Sequence, residues 1–192
     1  MKGDGVWVFS GLGVAGQVLV ALLLLIGLLA LLGNRGPLAM LRGWLWGYEL
    51  WAAFIVAAVA TGGSLYYSEV AGFIPCELCW FQRIFMYPLS IILLLMAIWG
   101  ENRAARYVLA LPVVGAGVSI YHMLIGYGAI TEPQACSRSA PGGCGTNWIA
   151  HWGFGYLQIE TLALTAFLLL IGFLVLASAG TADNAATLPA DA

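Results

Sequence analysis

Four cysteines in two pairs, Cys76-Glu-Leu-Cys79 and Cys136 with Cys144, are the residues of this chain best suited to chemistry. Two thiols with two residues between them can close and reopen a disulfide, and such a pair carries redox chemistry or holds a metal. Cys76 and Cys79 stand at the mouth of a long apolar run, with Pro75 suited to the start of a helix. In a first helical turn the unpaired N–H groups and the helix dipole favour a thiolate. Cys136 and Cys144 enclose Pro141-Gly142-Gly143, a sequence that turns the chain back and makes a disulfide between them easy. A loop this short gains about 2.5 kcal/mol from closure. The second pair is then either a staple or the second station of a relay, in which thiol–disulfide exchange moves oxidation from pair to pair.

Arg83 follows Cys79 by one helical turn, on the same face. A guanidinium at membrane depth costs about 2.5–3.5 kcal/mol at the centre on insertion scales, so it has a function or snorkels to the headgroups. Functionally, it can stabilise a thiolate and donate to a reducible carbonyl. His122, beside Tyr121 in a later apolar run, suits a cavity such as a quinone site, or an interhelical hydrogen bond. His151, between Trp148 and Trp152, reads as a solvated loop residue. Glu160 is a proton carrier or a neutral buried acid, and its position alone does not choose. A zinc site built from all four cysteines is the chemical rival, but the second pair lacks knuckle spacing and no metal is expected. Covalent haem attachment needs a histidine at position 80, which is Trp80.

The elements that must position these residues are membrane helices. The chain has 192 residues, of which 62% are hydrophobic and 8% charged, with a mean hydropathy of +0.94. Soluble domains carry about 25% charged residues, so this surface faces lipid. A net charge of −2 argues against nucleic acid or any strongly charged partner. Five runs are long enough to span a bilayer: Val14–Gly33, Trp46–Tyr67, Phe81–Gly100, Tyr107–Gly128 and Phe154–Ser178. The first exceeds a signal-peptide core and no small-x-small cleavage site follows it, so it reads as a retained helix. Arg35 and Arg42 lie between spans one and two, and Arg103 and Arg106 between spans three and four. These loops are therefore expected inside, which puts every cysteine on the outer, disulfide-permissive side. Tryptophans and tyrosines near the span ends read as interfacial belts, and Asn147–Trp152 as a short interfacial helix. Gly11-Leu-Gly13-Val-Ala-Gly16 matches a dinucleotide fingerprint, yet it lacks the βαβ context and reads as small residues easing helix contact.

The run Cys76-Glu-Leu-Cys79-Trp-Phe-Gln-Arg83-Ile-Phe-Met-Tyr-Pro88-Leu resembles the signature of the DsbB/BdbC disulfide-bond formation proteins, and most of all their BdbC-like branch. Tyr121-His122 is similar to the Tyr-His of that family's next helix. Trp148 to Phe167, with Trp152-Gly153-Phe154, resembles its final helix entry. The resemblance covers about Trp46–Leu176. It implies an all-α polytopic membrane bundle with a four-helix DsbB-like redox core over 46–179; the extra N-terminal transmembrane helix and cytoplasmic loop at 1–45 stand outside that pattern, and the small, polar, Ala-rich tail at 180–192 reads as disordered and cytoplasmic. It further implies a bacterial cell membrane protein that oxidises an extracytoplasmic, thioredoxin-fold, DsbA-like dithiol oxidase. The electrons pass to a membrane quinone, ubiquinone or menaquinone. Carried over by residue, the partner's thiolate attacks Cys136 and releases Cys144. Cys144 is reoxidised by Cys76–Cys79, Cys79 faces the quinone, and Arg83 and His122 contact its ring. The chain departs from the pattern in its first span, in Gly126 where a glutamine is expected, and in Glu160 where a proline is common.

Three other readings stand beside this one. Vitamin K epoxide reductase-like proteins share the chemistry but place the loop pair before the C-x-x-C. A non-enzymatic membrane subunit would keep both pairs as structural disulfides. An exporter of reductant would need cysteines in the inner loops, which hold none.

Overall fold

The computed structural model describes residues 2–139, 142–149 and 156–187. They form α1 (Lys2–Leu31), α2 (Gly36–Leu45), α3 (Glu49–Leu65), α4 (Glu77–Trp99), α5 (Ala105–Val108), α6 (Ala110–Gly126), α7 (Gln134–Ser139) and α8 (Ile159–Thr187). A π-helical turn, Tyr66–Val70, extends α3, and a 3-10 turn, Asn102–Ala104, leads into α5. Five segments are long and apolar enough to cross a membrane: Gly5–Leu31, Glu49–Val70, Glu77–Trp99, Asn102–Gly126 and Ile159–Ala179. The chain is an all-α, multi-pass bundle, as its composition requires.

The bundle buries α8 most deeply, because every other long helix packs against it or its neighbours. Half of its apolar window is buried, against 0% for α1, which lies on the outside of the bundle. Leu89 and Leu93 of α4 meet Ala53 and Ala57 of α3 and Phe167, Leu170 and Leu174 of α8 in the central core. Gly115 of α6 is small because the Phe167 ring stands where its Cβ would be. The outward faces carry Leu24, Leu28, Ile84, Ile91 and Val113, as expected when the solvent is lipid.

Helix α1 runs parallel to α8, with Gly13 against Leu162, Gly16 against Thr165 and Leu23 against Gly172. Gly11 has nothing near it. The glycine motif is thus a helix contact made by two of its three glycines.

Several boundaries differ from those expected. Helix α1 begins at Lys2 rather than Val14, because Val6 and Ser10 are buried, Val6 in a cluster with Tyr67, Ile149 and Leu157. The fourth span is broken into α5 and α6 at Leu109. Helix α8 continues to Thr187, which corrects the expectation of disorder from residue 180; the alanines at 182, 185 and 186 favour helix. Of the expected interfacial helix, residues 148–149 form a turn instead. His151, Trp152 and Phe154 lie outside the described residues.

Candidate redox site

Pro75 precedes α4 and Cys76 caps it. Cys76 has extended backbone angles (φ −75°, ψ 174°), and its sulfur accepts the backbone N–H of Cys79 at 3.4 Å. The expectation that Pro75 opens the helix is therefore off by one step: the proline stands just outside, and a thiol takes the capping place usual for Ser or Asp. The geometry puts both sulfurs in the first turn, 3.0 Å apart.

A chain of hydrogen bonds reaches this pair from α6. Ser119 donates to the Gly115 carbonyl at 3.0 Å, so its oxygen is free to accept from Gln82 Nε2 at 3.2 Å. The same Gln82 nitrogen lies 3.4 Å from His122 Nδ1. An amide N–H aimed at Nδ1 makes that nitrogen the acceptor and places the ring proton on Nε2. His122 Nε2 then donates to the Cys144 carbonyl at 3.0 Å and lies 3.6 Å from Cys76 Sγ. Both ring nitrogens of His122 are therefore engaged with protein. Its ring touches the cavity described below as part of the wall, and its hydrogen bonds serve the thiols.

Cys76 carries a thiol held far below its ordinary range, at about 4. The hydrogen bond from the Cys79 thiol is the largest cause; burial opposes it, and the hydrogen bond from His122 adds to it. A reduced pair thus has its thiolate on Cys76.

Cys136 and Cys144 form a disulfide with Cα atoms 5.3 Å apart. Cys136 lies on α7, a short helix that begins after Pro133, and Cys144 follows Gly142 and Gly143, whose φ values are 82° and 73°. Only glycine takes this left-handed conformation without strain. The Cys144 backbone N–H donates to the Glu132 carboxylate, and the Thr146 hydroxyl donates to the Gly142 carbonyl at 2.7 Å. Cys76, Cys136, Cys144 and Ile125 pack in one buried cluster with Cys79 at its edge. Two sulfurs bonded to each other leave no set of four thiolates, so this arrangement is not a four-thiolate zinc site.

Arg83 takes a different partner from the one its spacing suggests. Its Nε and Nη2 donate to the Ser64 hydroxyl and carbonyl on α3, at 3.0 and 3.1 Å. Tyr87 also donates to the Ser64 hydroxyl, at 3.2 Å, and the guanidinium lies 5.1 Å from the centre of the Trp80 ring. No bond to Nη1 is made among the described residues. Ser64, Ser119 and Glu132 carry no motif in the sequence; Ser64 and Ser119 are ordinary small residues of apolar runs, and only the fold shows what they hold.

A cavity of about 320 Å³ opens beside Cys79, walled at this end by Gln82, Arg83, His122 and Glu160. Glu160 is buried near the start of α8, and a Cβ on Gly126 would collide with the oxygens of Glu160 and Gln158. The two departures from the family pattern therefore touch each other: the missing side chain at 126 makes the room that the acid at 160 occupies.

The family described as Disulfide bond formation protein DsbB matches residues 48–177. The chain belongs to this family. It is 44% identical to Disulfide bond formation protein C of Bacillus subtilis over 131 residues, covering 66% of this chain and 90% of the relative. It is 42% identical to a probable disulfide formation protein of Deinococcus radiodurans, over 66% of this chain and 86% of that one. A probable disulfide formation protein of Metapseudomonas resinovorans is 36% identical, over 64% and 84%. No solved structure matches the chain. The matched region begins after α1 and α2.

Proposed function

We propose that this disulfide-forming membrane oxidoreductase reoxidises an extracytoplasmic thioredoxin-fold dithiol oxidase and passes the electrons to a membrane quinone. The observation that carries this reading is the meeting of both cysteine pairs, one reduced and one closed, around His122 at one end of the bundle. The arginines between α1 and α3 and between α4 and α6 support an orientation with the opposite end in the cytoplasm.

The exchange balances as follows. A partner thiolate attacks Cys136, the Cys136–Cys144 bond breaks, and Cys144 leaves as a thiolate. Cys144 attacks Cys76 of an oxidised Cys76–Cys79 bond and Cys79 leaves. The partner's second thiol then resolves the bond to Cys136, so the partner departs oxidised and Cys136 is freed. Attack of Cys136 on Cys144 restores the loop disulfide and expels Cys76, leaving a Cys76–Cys79 dithiol. Thiols of low pKa leave fastest, and the Cys79 and His122 contacts that hold the Cys76 thiolate near 4 favour this expulsion. Stabilising the reduced form also makes the pair more oxidising toward Cys144.

The cavity fits a quinone: its walls are apolar, and the one guanidinium group on them keeps donors not used by Ser64. A quinone bound there would accept the two electrons and two protons that leave the dithiol as the Cys76–Cys79 bond closes. Arg83 would hold a ring carbonyl, and Glu160, which lines the same cavity from α8, would exchange the proton. The test is a redox assay with purified protein, a reduced thioredoxin-fold oxidase and either ubiquinone or menaquinone. Thiol oxidation that depends on added quinone supports the reading. Thiol oxidation indifferent to both quinones removes it.

A further inference from the structure

The cavity beside Cys79 is longer than a ring requires. On α3 its wall runs from Ser64 to Ile55 and on α8 from Glu160 to Leu169, about two and a half turns or roughly 13 Å on each helix. Only one end of this length is polar; Ile55, Val59 and Leu169 line the other. A ligand that fills it has a polar head at the thiols and an apolar chain below.

A further wall comes from α1, which lies outside the matched region. Phe9, Leu12, Gly13 and Gly16 line the cavity, along about two turns or roughly 10 Å of α1. Phe9 fixes the outer end of α1 by packing on Tyr66 and Tyr67, with ring centres 5.4 and 6.0 Å away. Gly13 and Gly16 bring its backbone onto Leu162 and Thr165 of α8. Gln17 accepts the Tyr156 hydroxyl at 3.1 Å. These contacts join α1 to the outer end of α3 and to α8, across the side of the cavity that would otherwise open to lipid.

We propose that α1 is a lateral wall holding the isoprenoid tail of the bound quinone, so that this chain selects tailed quinones over their bare rings. The proposal rests on the quinone reading above and assigns a part of that site to a helix outside the matched region. The chain's own residues supply the selectivity: Leu12 and Phe9 cover the tail, and the glycine contact sets how tightly they close.

Equilibrium binding, read by quenching of the protein's tryptophan fluorescence, tests it on the full chain. The probes are a decylated or prenylated quinone and the tailless ring with the same headgroup. Gly13→Leu, whose side chain would meet Leu162, should weaken the tailed quinone about tenfold, the loss expected when two buried methylenes lose their cover, and leave the ring unchanged. Gly11→Leu, which meets nothing, should change neither. If Gly13→Leu also loses the ring, the bundle itself is damaged and Leu12→Trp decides. That substitution keeps the helix contact, narrows the channel and should weaken only the tailed ligand. A tailed quinone with a photoreactive group on its first prenyl unit should label the peptide containing Phe9 to Gly16. Labelling confined to α3 and α8, or equal losses for tail and ring in Leu12→Trp, overturns the proposal. Failure of the wild type to bind either quinone would instead remove the quinone reading itself.

Discussion

Cys76 and Cys79 stand on the first turn of a 23-residue helix, and His122, which reaches Cys76 from inside the bundle, is itself held by Gln82, whose amide also bonds Ser119. Cys136 and Cys144 stand instead on a six-residue helix and behind a pair of left-handed glycines, held by Glu132 and Thr146 from the same loop and, from the bundle, by the bond of His122 to the Cys144 carbonyl. The difference matches two demands of the proposed relay. Electron acceptance needs donors fixed in advance, which a helix terminus and a buried network provide. Exchange with a soluble partner needs a sulfur that can be uncovered, yet Cys136 and Cys144 are only 2% and 3% exposed. In the proposed exchange the loop must open for the partner, and opening a surface loop costs less than unfolding a helix of the core.

The sharpest way to break this comparison is to remove one sulfur from the fixed pair. Cys79→Ala should abolish quinone-dependent thiol oxidation while the Cys136–Cys144 disulfide still forms and still traps a single-cysteine partner. Multiple turnovers by this variant would erase the division between the two pairs. Next in size is Arg83. Its loss removes a preorganised donor, worth about 10²–10³ in rate, so Arg83→Met should raise the apparent KM for quinone strongly. Arg83→Lys keeps the charge but loses the planar fork that reaches Ser64, and should fall between. Partner trapping at Cys136 should persist in both variants. Unchanged quinone dependence with lost trapping would move Arg83 to the loop side of the comparison.

The amino-acid sequence made the fixed side more legible than the loop side. Cys76-Glu-Leu-Cys79 and Arg83 lie on one helix, so spacing alone puts them on neighbouring turns. What spacing leaves open is the direction of a long side chain, and Arg83 turns to Ser64 on α3. His122 was marked by its rarity in an apolar run, but its Nδ1 contact with Gln82 is a tertiary fact that joins α4 to α6. The helix limits moved where apolar or alanine-rich flanks extended them, at Lys2 and Thr187. In the loop, glycines and Pro141 announced a turn, whereas Glu132 as its fastener has no periodicity to reveal it.

The acidity of Cys76 sharpens the fixed side further. In the reduced protein its thiolate absorbance near 240 nm, taken against Cys76→Ser, should persist from neutral pH down to about 4. An ordinary cysteine loses the thiolate near pH 8.5. The sign for stability follows: a depressed folded pKa stabilises the native state fully above the unfolded value. That contribution shrinks as pH falls and is gone below about 4. His122→Ala removes one of the two partners and should move the loss of thiolate to higher pH. Identical titrations in the two proteins would leave Cys79 as its sole stabiliser.

The smallest expected effect is on the loop. Glu132 accepts the backbone N–H of Cys144, and a hydrogen bond to a charged group contributes about 1.5–3 kcal/mol. Opening the loop breaks this bond, so Glu132→Ala raises the open population and with it the rate at which Cys136–Cys144 is attacked. About tenfold is expected, since each 1.4 kcal/mol is a factor of ten. Glu132→Gln keeps an oxygen acceptor without the charge and should accelerate less. The measurement is the rate of reduction of the loop disulfide by dithiothreitol in a Cys79→Ala background, which isolates the loop from the helix pair. Because the Cys76 network does not include Glu132, the pH at which the Cys76 thiolate disappears should be the same with and without the substitution. A shift in that titration, or an unchanged reduction rate, would show that the loop and the helix mouth are one rigid unit rather than two regions with separate tasks.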